Sequence, residues 1–169
     1  MEVFLANREG PQVEFKRQVP SDDEGKPKVM KTVCAFANGD GGSILFGIDD
    51  EEGLAGLPPQ AVARLRHDLT RMIRTWVEPT PPFDFETLPI NGTDQIVLEL
   101  KVGAGSTLYG CGRTADSRTI YVRRYAITVR ARLPEIAAIL QARPGADHQA
   151  GGLGLLLPEG LLDTQFSPP

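Results

Sequence analysis

Glu9, Glu14, Lys16 and Asp49 are the residues of this sequence best suited to chemistry. Glu14 and Lys16 stand two apart in Val13-Glu14-Phe15-Lys16. Side chains on a strand alternate, so both reach the same face. A Glu-x-Lys pair beside further carboxylates is the residue set that a divalent-cation site for phosphodiester cleavage uses. Carboxylate oxygens hold Mg²⁺ or Mn²⁺. The lysine orients water or offsets developing negative charge. Glu9, Glu14 and Asp49 would be the metal ligands. Asp49 ends a later strand, and its neighbour Asp50 competes for the third carboxylate role. The blander reading is a solvated ion pair on an exposed strand, the commoner use of Glu-x-Lys.

A second group is cationic. Arg113, Arg118, Arg123, Arg124, Arg130 and Arg132 are almost unopposed by acids, in a chain whose formal net charge is -4. On a strand starting at Thr119, Tyr121 and Arg123 share one face and Arg124 takes the other. An aromatic beside arginines suits phosphate contact with base stacking. The alternative is a solvated basic surface on an otherwise acidic chain. Arg64, Arg71 and Arg74 lie off the apolar stripe of their helix and extend the candidate set.

The glycine turn Gly39-Asp40-Gly41-Gly42 invites a phosphate-cradle reading, but the order of elements opposes it. Phosphate loops lead from a strand into a helix N-terminus, where the dipole is positive. Here the loop leaves a helix C-terminus, and Asp40 adds negative charge. A tight turn that folds helix onto strand fits better.

These residues need elements to position them. Val13 and Phe15 mark a strand. Val29, Val33, Phe36 and Ala37 follow helical spacing, and Asn38-Gly39 is expected to end that helix in left-handed backbone. Ser43 to Ile48 alternates as a strand, with Ile44, Phe46 and Ile48 on one face. Gly53 to Pro59 reads as a loop. Val62, Leu65, Leu69, Met72, Ile73 and Trp76 form an amphipathic helix stripe. Phe83, Phe85 and Leu88, the Asn91-Gly92 turn signal, and Ile96, Leu98, Leu100 and Val102 predict an antiparallel pair. Gly103 to Ser117 reads as a surface loop, Thr119 to Arg124 as a strand, and Leu133 to Ala142 as a last helix with Pro134 in its first turn.

Length and composition bound the rest. With 169 residues, 41% apolar and 24% charged, the chain reads as one soluble globular domain over residues 1–143, followed by a Gly/Pro/Leu-rich tail or linker over 144–169. The first ten residues carry charges and no long apolar core, so they do not read as a signal peptide. No apolar run approaches a membrane span. Cys34 and Cys111 read as reduced, buried thiols of a cytoplasmic protein. With His67 and His148 they form no zinc spacing.

Taken together, Glu9, Val13-Glu14-Phe15-Lys16, Lys31 to Asn38, Gly41-Gly42, Leu45 to Asp50, Gly56, Tyr121 to Arg124 and Glu135-Ile136 resemble the Schlafen AlbA-like domain, a family linked to DNA binding and to divergent AAA proteins. The resemblance spans about residues 5 to 142. It implies an α+β fold, with a mixed, mostly antiparallel sheet and flanking helices. In animal Schlafens two copies form a basic trough that binds structured RNA, and some members cleave tRNA or rRNA with three carboxylates and a metal. Carried over by motif, Glu9 and Glu14 match the first two carboxylates, Lys16 the nearby lysine, and Asp49 or Asp50 the third. Zinc is not implied, because the ligands of the animal proteins are missing. The implied function is a nucleic-acid-binding module for DNA or RNA, with Arg113, Arg118, Tyr121, Arg123 and Arg124 as contacts. One copy per chain makes a homodimer the implied route to a trough. The alternatives are a metal-dependent endoribonuclease acting on tRNA-like RNA, and a regulatory oligomerisation domain that docks through the apolar tail, Leu153 to Leu162.

Overall fold

The structure, a computed structural model, describes residues 9–49 and 51–143. The readings of the first eight residues, of Asp50 and of the 144–169 tail lie outside the described residues. In chain order the elements are β1 (Val13–Lys16), α1 (Gly25–Asn38), β2 (Gly42–Phe46), β3 (Ile48–Asp49), β4 (Gly53–Leu54), α2 (Val62–Trp76), β5 (Val77–Glu78), β6 (Phe83–Pro89), β7 (Ile96–Val102), β8 (Gly110–Cys111), β9 (Tyr121–Arg124), β10 (Ile127–Arg130) and α3 (Leu133–Ala142). Short 3₁₀ turns cover Pro59–Ala61 and Ala115–Ser117.

The main sheet runs β1-β2-β7-β6. β1 and β2 are parallel, and β2–β7 and β7–β6 are antiparallel. Parallel neighbours need a crossover, and α1 supplies it. The fold is therefore α+β with a mixed, mostly antiparallel sheet, as expected.

Helix α1 is buried around most of its circumference, from Val29 and Met30 through Thr32 to Asn38. A helix apolar on all sides belongs in a core. One side packs on the sheet and the other takes the β9–β10 ribbon. Ile44, Phe46, Leu98, Leu100 and Val102 meet it from the sheet, and Leu69, Met72 and Ile73 from α2. Phe15, Leu45, Ile48 and Val97 form a smaller cluster.

Four local expectations change. Ile48 does not continue the face of Ile44 and Phe46 but packs with Phe15 and Leu45. The cause is Gly47, whose φ of 100° breaks the alternation. Its N–H donates to the Lys16 carbonyl, and its own carbonyl accepts from Ala55 and Gly56. The chain then folds back as β3 on β4 within the expected loop. At the end of α1, Gly39 has a φ of -104°, and the left-handed residue is Gly41, at 81°. A Cβ at Gly41 would lie 2.7 Å from the Val102 carbonyl oxygen, so only glycine lets β2 start this close to β7. The third change is in Gly103 to Ser117, where Thr107 to Gly112 are buried and β8 pairs with β5. The sequence pattern mistakes this core strip for a loop because glycines interrupt its apolar residues. Finally, β10 was not anticipated. It pairs with β9 across the two-residue turn Tyr125-Ala126.

Candidate functional site

β1 brings Glu14 and Lys16 together, as its alternation requires. Lys16 Nζ lies 2.6 Å from Glu14 Oε1 and 4.0 Å from Glu9 Oε1, and it donates at 2.8 Å to the Phe15 carbonyl. Glu9 Oε1 also accepts from the Phe15 amide at 2.9 Å. Two carboxylates thus flank one ammonium at the edge of the sheet.

Asp49 is held in a different arrangement. Its Oδ1 accepts from the amides of Glu51 and Glu52, at 2.9 and 3.0 Å, closing the turn between β3 and β4. Its Oδ2 lies 3.5 Å from Arg17, which also pairs with Glu52 at 2.7 Å. The Glu52 and Glu51 amides, followed by Arg17, hold the Asp49 carboxyl below its ordinary range, against a smaller upward push from burial. Among the described residues, no three His, Cys, Asp or Glu side chains gather as a cation-binding group. As placed, Glu9, Glu14 and Asp49 do not fit a divalent cation. Glu14 faces two cations, and Asp49 is taken by turn amides and Arg17.

The second cation on Glu14 is Arg123. Its Nη1 donates to Glu14 Oε2 at 2.8 Å and to Thr128 Oγ1 at 3.0 Å, and its Nη2 donates to the Gly10 carbonyl at 2.8 Å. The guanidinium lies 5.2 Å from the Phe36 ring centroid, and the side chain is only 6% exposed. The strand alternation expected for Tyr121 and Arg123 holds. Their shared face, however, turns inward onto α1, where Thr128 also meets Thr32 at 3.1 Å. Arg123 thus works as an internal tie.

The remaining candidates divide in the same way. Arg124 forms a two-pronged pair with Glu135, with Nε to Oε1 at 3.0 Å and Nη2 to Oε2 at 2.7 Å. That pair, with the Arg132 amide, lowers the Glu135 carboxyl from its ordinary range. Arg118 pairs with Glu78. Tyr121 is half-buried, with Lys31 Nζ 5.4 Å from its ring centroid. Arg113 is exposed, and its guanidinium stands 5.7 Å from the Trp76 ring centroid. Arg64, Arg71, Arg74, Arg130 and Arg132 are also exposed. Arg64 and Arg71 both lie near Asp68.

Two positions escaped sequence reasoning. Asn38 is buried. It donates through Nδ2 to the carbonyls of Tyr109 and Tyr121, at 2.9 and 3.0 Å, and accepts the Tyr109 amide at 2.9 Å. A polar residue inside the apolar run Cys34-Ala-Phe-Ala-Asn38 was the available signal for this. Arg143 donates to the carbonyls of Ala37, Thr107 and Gly39, capping the C-terminus of α1. Beside that end, a cleft of about 300 Å³ is lined by Phe36, Gly39, Asp40, Arg123, Glu135 and Ile139. It opens at a helix C-terminus with two acids on its wall. This agrees with the glycine turn being no phosphate cradle.

With this geometry in place, the comparisons identify the family. The family model described as "Schlafen, AlbA_2" matches residues 9–132, and the chain belongs to that family. Among solved structures, the DIP2311 protein from Corynebacterium diphtheriae superposes with a TM-score of 0.54 at 20% identity, over 79% of this chain and 24% of that one. This chain therefore spans about a quarter of that protein's length. The N-terminal domain of a protein from Nitrosomonas europaea described as "Putative ATP-dependent DNA Helicase RecG-related Protein" gives a TM-score of 0.46 at 23% identity, over 61% of this chain and 69% of that one. No curated protein matches the sequence. Among the described residues, no helix is long and apolar enough to cross a membrane.

Proposed function

We propose that this chain is a nucleic-acid-binding module. The observation that carries the reading is charge segregation. Between Ser117 and Pro134 there are five arginines (Arg118, Arg123, Arg124, Arg130 and Arg132) and no acid, in a chain of net charge -4. Three of these arginines tie the ribbon to the body of the fold through Glu78, Glu14 and Glu135. Arg130 and Arg132 face solvent on the ribbon and just after it, and Arg113 faces solvent beside Trp76. The internal pairs hold the ribbon in place, and the exposed arginines meet phosphates. Family membership supports the reading.

The test is a fluorescence-anisotropy titration of labelled RNA and DNA at low and moderate salt. Binding that weakens as salt rises is expected, since each neutralised phosphate releases counterions. No binding at low salt contradicts the proposal.

A second reading, a metal-dependent endoribonuclease, is favoured only by the grouping of Glu9, Lys16 and Glu14, and it requires Glu14 and Asp49 to give up Arg123 and the turn amides before a divalent cation could bind. Its test is cleavage of tRNA by wild type, Glu14→Gln and Lys16→Ala with Mn²⁺ or Mg²⁺. Loss of cleavage in both variants, assayed at a temperature where circular dichroism shows both still folded, supports it. Equal cleavage by all three proteins rejects it.

A further inference from the structure

Tyr125 occupies the first position of the turn between β9 and β10. The residue is 87% exposed, and its backbone φ is +55°. Among the described residues it is the one non-glycine at positive φ. Two-residue hairpin turns normally place Gly, Asn or Asp at such a position, because a Cβ there is strained. Here the sequence places a large aromatic in a strained backbone and leaves it in water, and nothing in the packing accounts for it. A strained residue kept at an exposed tip motivates a functional hypothesis.

The surroundings indicate what the ring meets. Ile127, 65% exposed, pairs with Arg124 across the ribbon, so the two share a face directly behind the turn. Leu133 is 79% exposed. Arg130 lies about 10 Å along β10 from Ile127, at the rise of an antiparallel strand; three residues on, it starts from the other face, opposite Tyr121, and its exposed end reaches the Thr119 hydroxyl at 3.5 Å. The ribbon is therefore aromatic at its tip and apolar just behind it on one face, where Arg124 beside Ile127 is held by Glu135, and it carries an exposed cation, Arg130, at its far end. Flat apolar groups joined by regularly spaced anions complement it. An unpaired nucleic-acid strand has that composition, whereas the bases of a duplex are stacked on one another.

We propose that the β9–β10 turn is a base-stacking tip: Tyr125 stacks on an unpaired base of single-stranded RNA or DNA, and the same strand runs along the ribbon towards Arg130. This deepens the nucleic-acid-binding reading above and rests on it.

The experiment uses the full 169-residue chain and three fluorescein-labelled probes: oligo(dT), oligo(rU) and a blunt DNA duplex of the same length. The variants are Tyr125→Gly and Tyr125→Phe. Glycine relieves the positive φ, so Tyr125→Gly is expected to melt at or above the wild-type temperature. Its single-strand affinity is expected to fall by about 5- to 150-fold, the range for losing one stacked base. Tyr125→Phe keeps wild-type affinity, because the ring is retained. The duplex is expected to bind more weakly than the single strands and to change little. Equal single-strand affinity in wild type and Tyr125→Gly overturns the stacking tip while leaving nucleic-acid binding intact. An equal loss on single strands and duplex overturns it as well. A fall in solution mass in Tyr125→Gly, without a change in affinity, assigns the tip to a self-association contact instead. Failure of the wild type to bind any probe removes the parent reading together with this one.

Discussion

Glu14 Oε2 and Arg123 Nη1 lie 2.8 Å apart and join the first strand of the sheet to a ribbon 109 residues further along the chain. The same carboxylate holds Lys16 on its other oxygen. One residue therefore links the acidic grouping to the cationic ribbon. The partner Arg123 is nearly enclosed, so the pair makes an unforgiving tie. Removing Glu14 leaves the enclosed guanidinium without its counter-charge, and removing Arg123 leaves Glu14 with Lys16 alone while the Gly10 carbonyl and the Thr128 hydroxyl lose their donor.

Arg123→Ala is expected to cost about 3–5 kcal/mol, the usual loss when one half of a buried ion pair is deleted. Glu14→Gln retains the shape and some hydrogen bonding and is expected to cost about 1–3 kcal/mol. Urea unfolding followed by circular dichroism measures both. Losses below about 0.5 kcal/mol in both variants would place the pair among ordinary surface contacts.

Asn38 offers a sharper contrast. Its amide satisfies two carbonyls and one backbone N–H in the core. Asn38→Ala leaves these groups without partners and is expected to cost about 3 kcal/mol or more. Asn38→Asp keeps an acceptor but removes the donors and sets a negative charge against carbonyl oxygens at a helix C-terminus. It is expected to be less stable than Asn38→Ala. The opposite ranking in urea unfolding would contradict the assigned amide orientation.

Acid stability tests the Asp49 turn. The folded-state pKa is depressed below 3.8, chiefly by the Glu52 and Glu51 amides and then by Arg17. A depressed carboxyl contributes stability above its unfolded value, and that contribution is lost as pH falls through the folded value. Wild type should therefore exceed Asp49→Asn in stability at pH 6, and the difference should shrink as pH falls below about 4. A difference that is constant from pH 6 to pH 2 would show that the turn does not depend on the charge.

The thiols provide a check on the core. Burial pushes Cys34 up to about 12 and Cys111 up to about 11. At pH 8 both are expected to resist iodoacetamide in the native protein and to react on unfolding. Rapid native alkylation of Cys34 would mean that α1 is not the central helix described here.

Elements with a strong local period were legible in the sequence. The α2 stripe, the β6–β7 pair and the proline-started α3 all follow side-chain alternation or helical spacing. So does the Glu14–Lys16 pairing, which needs only a strand. Failures occurred where a single glycine or a distant partner decides the outcome. Gly47 reverses the face of Ile48, and buried glycines disguise the Thr107–Gly112 strip as a loop. The role of Arg123 depends on Glu14, and that of Arg143 on the carbonyls of Ala37, Gly39 and Thr107. No local pattern records such long-range ties. Asp49 shows the same limit: its type suited metal binding, but the turn after it and Arg17 engage its oxygens.

The central claim is that solvent-facing arginines of this chain contact nucleic-acid phosphates. The most direct measurement compares wild type with an Arg113→Ala/Arg130→Ala/Arg132→Ala variant, titrating labelled single-stranded RNA at several salt concentrations. The claim expects measurable low-salt binding by wild type, an affinity that falls linearly on a log–log salt plot, and a shallower slope with weaker binding in the variant. Wild type that fails to bind at low salt, or a variant with the same affinity and slope as wild type, would contradict it.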